Sequence, residues 1–262
     1  MQTKNKPLIL VSNDDGITAK GIATLVEIMQ EIGEVVVVAP DKPQSGMGHA
    51  ITVGNTLHLH ESPIFGKEVL AYECSGTPAD CIKLAKHYVL KERKPDLVVS
   101  GINHGANTSI SVLYSGTMSA AIEGAVEGFP AIGFSLADYS SQADFSHCYY
   151  YVKKIALKAL EEGIPKGVAL NVNIPKKSEE QIKGIKVCRQ AKARWIEEFD
   201  QRVDPRGRTY FWLTGEFLNE EPRATDTDEF VLSENYISIV PCQYDLTAYY
   251  ALSQINAWKF EV

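Results

Sequence analysis

Unbroken aliphatic runs recur along this chain, and between them lie stretches whose apolar residues fall at helical spacing. The first run is residues 8–13 (LILVSN). Pro7 is a poor strand interior, so the strand is expected to begin after it. Four aliphatics in a row read as a strand buried on both faces, as in a parallel sheet. Residues 21–33 follow, with Ile22, Leu25, Val26 and Met29 at helical spacing and Gly33 as the stop. Residues 35–39 (VVVVA) make a second buried strand. Strand-like segments at 56–59 and 69–74 precede a helix whose apolar face would carry Ile82, Ala85, Tyr88 and Val89. Residues 96–100 (DLVVS) read as a buried strand and 101–116 as a long polar loop. A helix from Thr117 places Met118, Ala121, Ile122 and Ala125 on one face, residues 131–135 make a further strand, and 143–160 a further helix. Strands alternating with helices imply right-handed crossovers and a doubly wound, mostly parallel α/β sheet.

Beyond Pro175 the pattern changes. Residues 185–189, 193–199 and 208–213 look like strands, with Asp204-Pro205-Arg206-Gly207 as a turn between the last two. This hairpin carries Trp195, Phe199, Tyr210, Phe211 and Trp212. Aromatics at that density need burial, either on their own domain or as a projecting arm that docks on another subunit. The arm reading is preferred, within a single domain spanning 1–262 and with the arm at about 185–225. Residues 236–240 read as a strand and 248–257 as a terminal helix.

Composition narrows the functional classes. The chain has 262 residues, 45% of them hydrophobic and 23% charged, which supports a sizeable core in a soluble protein. A net charge of −7 argues against duplex nucleic acid or an anionic membrane as partner, yet leaves room for a single nucleotide at a local anion site. MQTKNKP lacks the apolar core of a secretory signal, and no window approaches a membrane span. The five cysteines (Cys74, Cys81, Cys148, Cys188 and Cys242) are odd in number and form no C-x-x-C pair, so neither a disulfide framework nor a zinc site is indicated. They read as small buried hydrophobes in a cytoplasmic protein.

Three loops at the carboxyl ends of buried strands are rich in oxygen-bearing residues. The first offers Asp14 and Asp15, the second Ser45, the third Asn103 and Asn107. In open α/β sheets ligands bind just beyond those strand ends. Asn-Asp-Asp-Gly reads either as a turn with a helix cap or as a cation site. Adjacent carboxylates repel and lose hydration there, and a divalent cation resolves both problems. Carboxylate, amide and hydroxyl oxygens without a His or Cys cluster favour a hard ion. Ser75-Gly76-Thr77 before Pro78 reads as an N-cap. Ser115-Gly116-Thr117 follows the Asn-rich loop at once and reads as a phosphate site, because free N–H groups at a helix start favour anions. His49 and His104 lie in the site loops as candidate proton donors to a leaving group. A hard metal beside such a helix start is the apparatus of phosphoryl transfer or phosphate-ester hydrolysis. No P-loop, dinucleotide or nucleophile-elbow signature competes.

With Asn13-Asp14-Asp15-Gly16, Ser45-Gly46, Ser75-Gly76-Thr77-Pro78-Ala79-Asp80, Gly101-Ile102-Asn103, Asn107 and Tyr114-Ser115-Gly116-Thr117 in order, the chain resembles the SurE family of survival-protein phosphatases acting as 5′(3′)-nucleotidases. The similarity runs from Leu8 to about Phe134 and resumes at 225–228 (TDTD) and 236–241 (YISIVP). The resemblance implies a Rossmann-like core and metal-dependent dephosphorylation of nucleoside monophosphates. It also implies a C-terminal β-hairpin arm exchanged between subunits of a homodimer or homotetramer. It places the metal ligands on Asp14, Asp15, Ser45 and Asn103, holding one divalent ion per subunit, Mg²⁺ or Mn²⁺, with Ca²⁺ as a further occupant. Asp14, Asp15 and Asn103 are then the expected catalytic residues, and Gly46, Asn107, Ser115, Gly116 and Thr117 the expected substrate-binding ones. A binding module that holds nucleotide and metal without turnover is the alternative. Ser109 stands where the family usually has glycine, so the local loop path is open if that position needs positive φ.

Overall fold

Four strands with aliphatic residues on both faces form the centre of this protein. The computed structural model describes residues 6–176 and 181–260. The amino-terminal stretch read above as lacking a signal lies mostly outside the described residues. The strands are β1 (Leu8–Ser12), β2 (Glu34–Pro40), β3 (Leu59–Glu61), β4 (Leu70–Cys74), β5 (Leu97–His104), β6 (Ala131–Leu136), β7 (Val168–Ile174), β8 (Ile185–Val187), β9 (Ala193–Val203), β10 (Thr209–Asn219) and β11 (Ile237–Gln243). Nine of them form one sheet in the order β3-β4-β2-β1-β5-β6-β7-β11-β8, and β9 with β10 forms a separate two-stranded ribbon. Neighbours from β4 to β7 are parallel, while β3 and β11 run antiparallel to their inner neighbours.

The alternation of side chains along β1 shows why both faces must be covered. Ile9 and Val11 join one apolar cluster with Val35 and Val37, whereas Leu8 and Leu10 join the opposite cluster with Val36 and Val38. Helices α1 (Lys20–Gln30) and, further on, α4 (Cys148–Glu162) cover the first face through Leu25, Met29, Val152 and Ala156. Helices α2 (Pro78–Leu84) and α3 (Gly116–Val126) cover the second through Ile82, Met118 and Ala121. The expected doubly wound sheet is therefore present. Cys74, Cys81 and Cys148 are buried free thiols, and Cys188 and Cys242 are half-buried.

Several elements differ from expectation. Helix α2 ends at Leu84 and continues as a π-helical turn over Ala85–Leu90, so Tyr88 leaves the apolar face and is 64% exposed. β3 begins at Leu59, where the expected segment ended, and α4 begins at Cys148. β7 and the short helix α5 (Asp228–Ser233) were not expected. The terminal helix is divided into a 3-10 turn, Tyr249–Ala251, and α6 (Leu252–Asn256). β5 runs on to His104 through a register shift between Ser100 and Asn103, where a loop was expected from Gly101. Gly101 makes this possible: its φ is +119°, and a Cβ there would lie 2.3 Å from the Phe134 carbonyl oxygen. Among the described residues, no helix is long and apolar enough to cross a membrane.

Candidate active site

The order of strands decides where a ligand can enter. From β1 the chain builds outward through β2 to β4, then returns to β5 on the other side of β1. The crevice beyond the carboxyl ends of β1 and β5 is thus the topological switch point, where α/β sheets bind ligands. Asp14 and Asp15 follow β1, Ser45 follows β2, and the shifted register at the end of β5 presents Asn103. All four line one pocket of about 240 Å³, together with Gly46, Asn107 and Ser115. Thr117 and Gly116 do not line it; they stand behind Asp14.

Asp14 is nearly buried, at 4% exposure. Burial pushes its carboxyl up from 3.8 to about 6, against the hydrogen bonds from Thr117, and the nearby Asp15 adds to the rise. Thr117 donates its hydroxyl to Asp14 Oδ1 at 2.5 Å and also offers its backbone N–H. Gly116 allows this approach: a Cβ there would lie 2.5 Å from Asp14 Cβ. Gly116→Ala should therefore displace Asp14 and lower kcat/KM by about a hundredfold, as an error near 1 Å does in an active site. Steady-state kinetics beside a circular dichroism spectrum checks this. Unchanged kinetics in the folded variant would show that Asp14 has room to move.

Asp15 is the freer carboxylate. Among the described residues it accepts one long bond, from the His104 backbone N–H at 3.3 Å, and burial again raises its carboxyl from its ordinary value. Asn103 donates both amide hydrogens to carbonyls, His104 O at 3.1 Å and Gly105 O at 2.8 Å, which fixes its Oδ1 as the end left for a cation. Ser115 caps α3 by accepting the Met118 N–H at 3.0 Å, and its own hydroxyl proton remains to donate. By contrast Thr77 is the N-cap that its Ser-Gly-Thr-Pro context predicted: it forms a capping box with Asp80, and its hydroxyl donates to the Ala50 carbonyl at 2.7 Å.

Residues not foreseen hold the third loop. Asn107 donates its N–H to Asn173 Oδ1 and its side-chain amide to Ser135 Oγ, and its carbonyl accepts from Asn171 Nδ2. The signal lay in the alternation of Asn171 and Asn173, which puts both amides on one face of β7. Ser109 does adopt a left-handed conformation, φ +52°, so the backbone follows the path a glycine would take. Two tertiary bonds secure it: its N–H donates to Asp228 Oδ2 at 2.8 Å, and its hydroxyl to the Ala191 carbonyl at 3.0 Å.

Of the two histidines considered as acids, His104 lines the pocket and packs edge-on against Phe145, with centroids 4.9 Å apart. His49 is bound at 2.7 Å to the buried Glu123, which also pairs with Lys83 at 2.6 Å. A larger cavity of about 500 Å³ lies beside β11 and shares Ser115. Its charged side chains include two already paired: His49 with Glu123, and Arg189 with Glu221 and Asp226.

Among the described residues no three His, Cys, Asp or Glu side chains converge as a metal cluster. The switch-point donor set is two carboxylates with an amide and a hydroxyl oxygen, which suits a hard divalent cation and no soft one. The buried Asp14 and half-buried Asp15, with few donors facing them, also supply the negative charge such an ion needs. The residues present fit the group.

Residues 9–197 match the family described as "Survival protein SurE". The chain is 66% identical over 257 residues to a 5′-nucleotidase SurE of Cytophaga hutchinsonii, covering 98% of each chain. It is 59% identical over 254 residues to a 5′-nucleotidase SurE of Flavobacterium psychrophilum, covering 97% of this chain and 98% of that one. The crystal structure of the SurE protein from Aquifex aeolicus superposes with a TM-score of 0.82 at 39% identity, covering 95% of this chain and 98% of the other.

Proposed function

This chain belongs to the SurE family, and from that premise we infer that it is a 5′-nucleotidase, a metal-dependent phosphomonoesterase that releases phosphate from nucleoside monophosphates. The observation that carries this reading is the meeting of Asp14, Asp15, Ser45 and Asn103 in one pocket with Ser115 at a helix start. Those four residues would hold one Mg²⁺ or Mn²⁺ ion. Bound there, the ion supplies Lewis acidity toward the phosphoryl group.

The remaining work falls to side chains and backbone. Thr117 and Gly116 hold Asp14 in place. The Ser115 hydroxyl donates to a phosphoryl oxygen, where charge grows in the transition state. Asn107, fastened to β6 and β7, keeps the third loop from yielding as substrate enters. Asp15 has the fewest competing bonds and orients the attacking water. The ribbon of β9 and β10 serves as an intersubunit arm of a homodimer or homotetramer.

Phosphate release from a panel of nucleoside monophosphates, assayed with Mg²⁺, Mn²⁺ and EDTA, tests the reading. EDTA should abolish release, and either ion should restore it. Release that survives chelation would reject the metal site. Nucleotide binding without release would instead identify a metal-dependent nucleotide-binding module.

A further inference from the structure

We propose that Trp195, at the root of the hairpin, is a specificity-determining residue that stacks on the nucleobase, with Tyr139 and Tyr114 completing an aromatic rim to the site. The inference rests on the nucleotidase reading and names the group that recognises the nucleoside end of the substrate.

The size of the pocket comes first. At about 240 Å³ it lies below the roughly 300–1,000 Å³ of sites that enclose a whole small ligand. Its charged and oxygen-bearing groups gather around Asp14, so a nucleotide with its phosphate there must leave its base at the mouth. Three aromatic side chains line that same pocket and remain open to solvent: Trp195 at 42% exposure, Tyr114 at 52% and Tyr139 at 76%. Aromatic faces bind bases by stacking, which tolerates every base and strengthens with ring area.

Trp195 is also held where it can act. Its indole packs edge-on against Phe217 of β10, with centroids 5.4 Å apart. The chain just before it is fastened to the site loop. The buried Asp228 carboxylate accepts the Ser109 N–H on one oxygen and the Ala191 N–H, at 2.9 Å, on the other. The Ser109 hydroxyl reaches the Ala191 and Ala193 carbonyls at 3.0 and 3.4 Å. The root of the arm and the loop bearing Asn103 and Asn107 are thus joined through one carboxylate and one serine. The same bonds account for a serine in left-handed conformation at position 109. Tyr139 closes the other side, lying so near Gly105 that a Cβ there would lie 2.3 Å from its ring.

The test compares AMP with ribose 5-phosphate, which carries the same ester without a base, on the wild-type chain, Trp195→Ala and Trp195→Phe. The preference for AMP in kcat/KM should fall about tenfold in Trp195→Ala, through KM, and be largely kept in Trp195→Phe. An unchanged preference in Trp195→Ala would overturn the proposal. Tryptophan fluorescence supplies a readout independent of turnover. AMP should quench the wild-type signal more than ribose 5-phosphate does, and Trp195→Phe should lose that excess quench. Quenching that persists in Trp195→Phe would place the base elsewhere. A wild type that turns over neither ester but shows the Trp195-dependent quench would reject the nucleotidase reading and leave the base contact standing.

Discussion

Asp14→Asn is expected to stop phosphate release and at the same time to raise the melting temperature of the metal-free protein. The first effect follows from removing a carboxylate from the proposed cation site, where charge stabilisation is worth several kcal/mol; kcat/KM should fall about a thousandfold. The second follows from burial. The Asp14 carboxyl lies at about 6 in the fold and 3.8 as its ordinary value, a difference of about 3 kcal/mol between its two protonation states. Between those values the folded chain holds a proton that the unfolded chain has released. The stability of the neutral carboxyl is therefore complete below pH 3.8 and lost as pH rises through 6. Asparagine is neutral throughout and still accepts the Thr117 hydroxyl. Thermal unfolding in EDTA should show the variant about 6 °C or more above wild type at pH 7.5, with the gap closing near pH 3.5. A variant less stable than wild type at pH 7.5 would mean that the Asp14 charge is already compensated within the fold.

The same tension between stability and chemistry marks what the sequence could and could not reveal. The central strands were legible because burial on both faces leaves runs such as LILV and VVVV, which no surface element would carry. The loops that follow them were legible because oxygen donors accumulate where a parallel sheet admits a ligand. β7 was not, since Asn171 and Asn173 interrupt its apolar run; their amides are buried because they serve the Asn107 loop rather than the core. The register shift at Gly101 was also hidden. A glycine before an Asn-rich stretch reads as the start of a loop, and only the nearby Phe134 carbonyl shows why the strand continues. Asp228 entered the resemblance through TDTD at 225–228, but nothing local revealed its tertiary role. Its two distant partners, Ser109 and Ala191, lie 119 and 37 residues away in sequence, and α5, which it begins, is too short for periodicity to mark. The N-cap at Thr77 was legible for the opposite reason, as a cap and the helix start it serves lie within a few consecutive residues.

The largest effect expected away from the active site concerns the ribbon. Directly opposed residues of an antiparallel pair project from the same face. Trp195 pairs with Phe217, Phe199 with Leu213, Gln201 with Phe211, and Val203 with Thr209. These positions alternate with Arg194, Glu198, Asp200 and Arg202, so much of one face of the ribbon is an apolar stripe, interrupted at the Glu197–Gly215 pair. Near the root Trp195 and Phe217 cover each other, but beyond them Phe199 is 67% exposed and Leu213 63%. An isolated two-stranded ribbon is marginal unless such a face is covered. Burying each large side chain contributes on the order of 1.5–3 kcal/mol, so several together offset the cost of association. Replacing Phe199, Phe211 and Leu213 with threonine keeps strand-forming side chains while removing the stripe. Light scattering should then report a smaller molar mass, with the circular dichroism of the central sheet unchanged. Trp212→Thr, on the opposite face beside Asp200, should have the lesser effect. An unchanged mass with loss of folded signal would assign the stripe to the subunit's own core. Unchanged mass and unchanged stability would mean that nothing covers it.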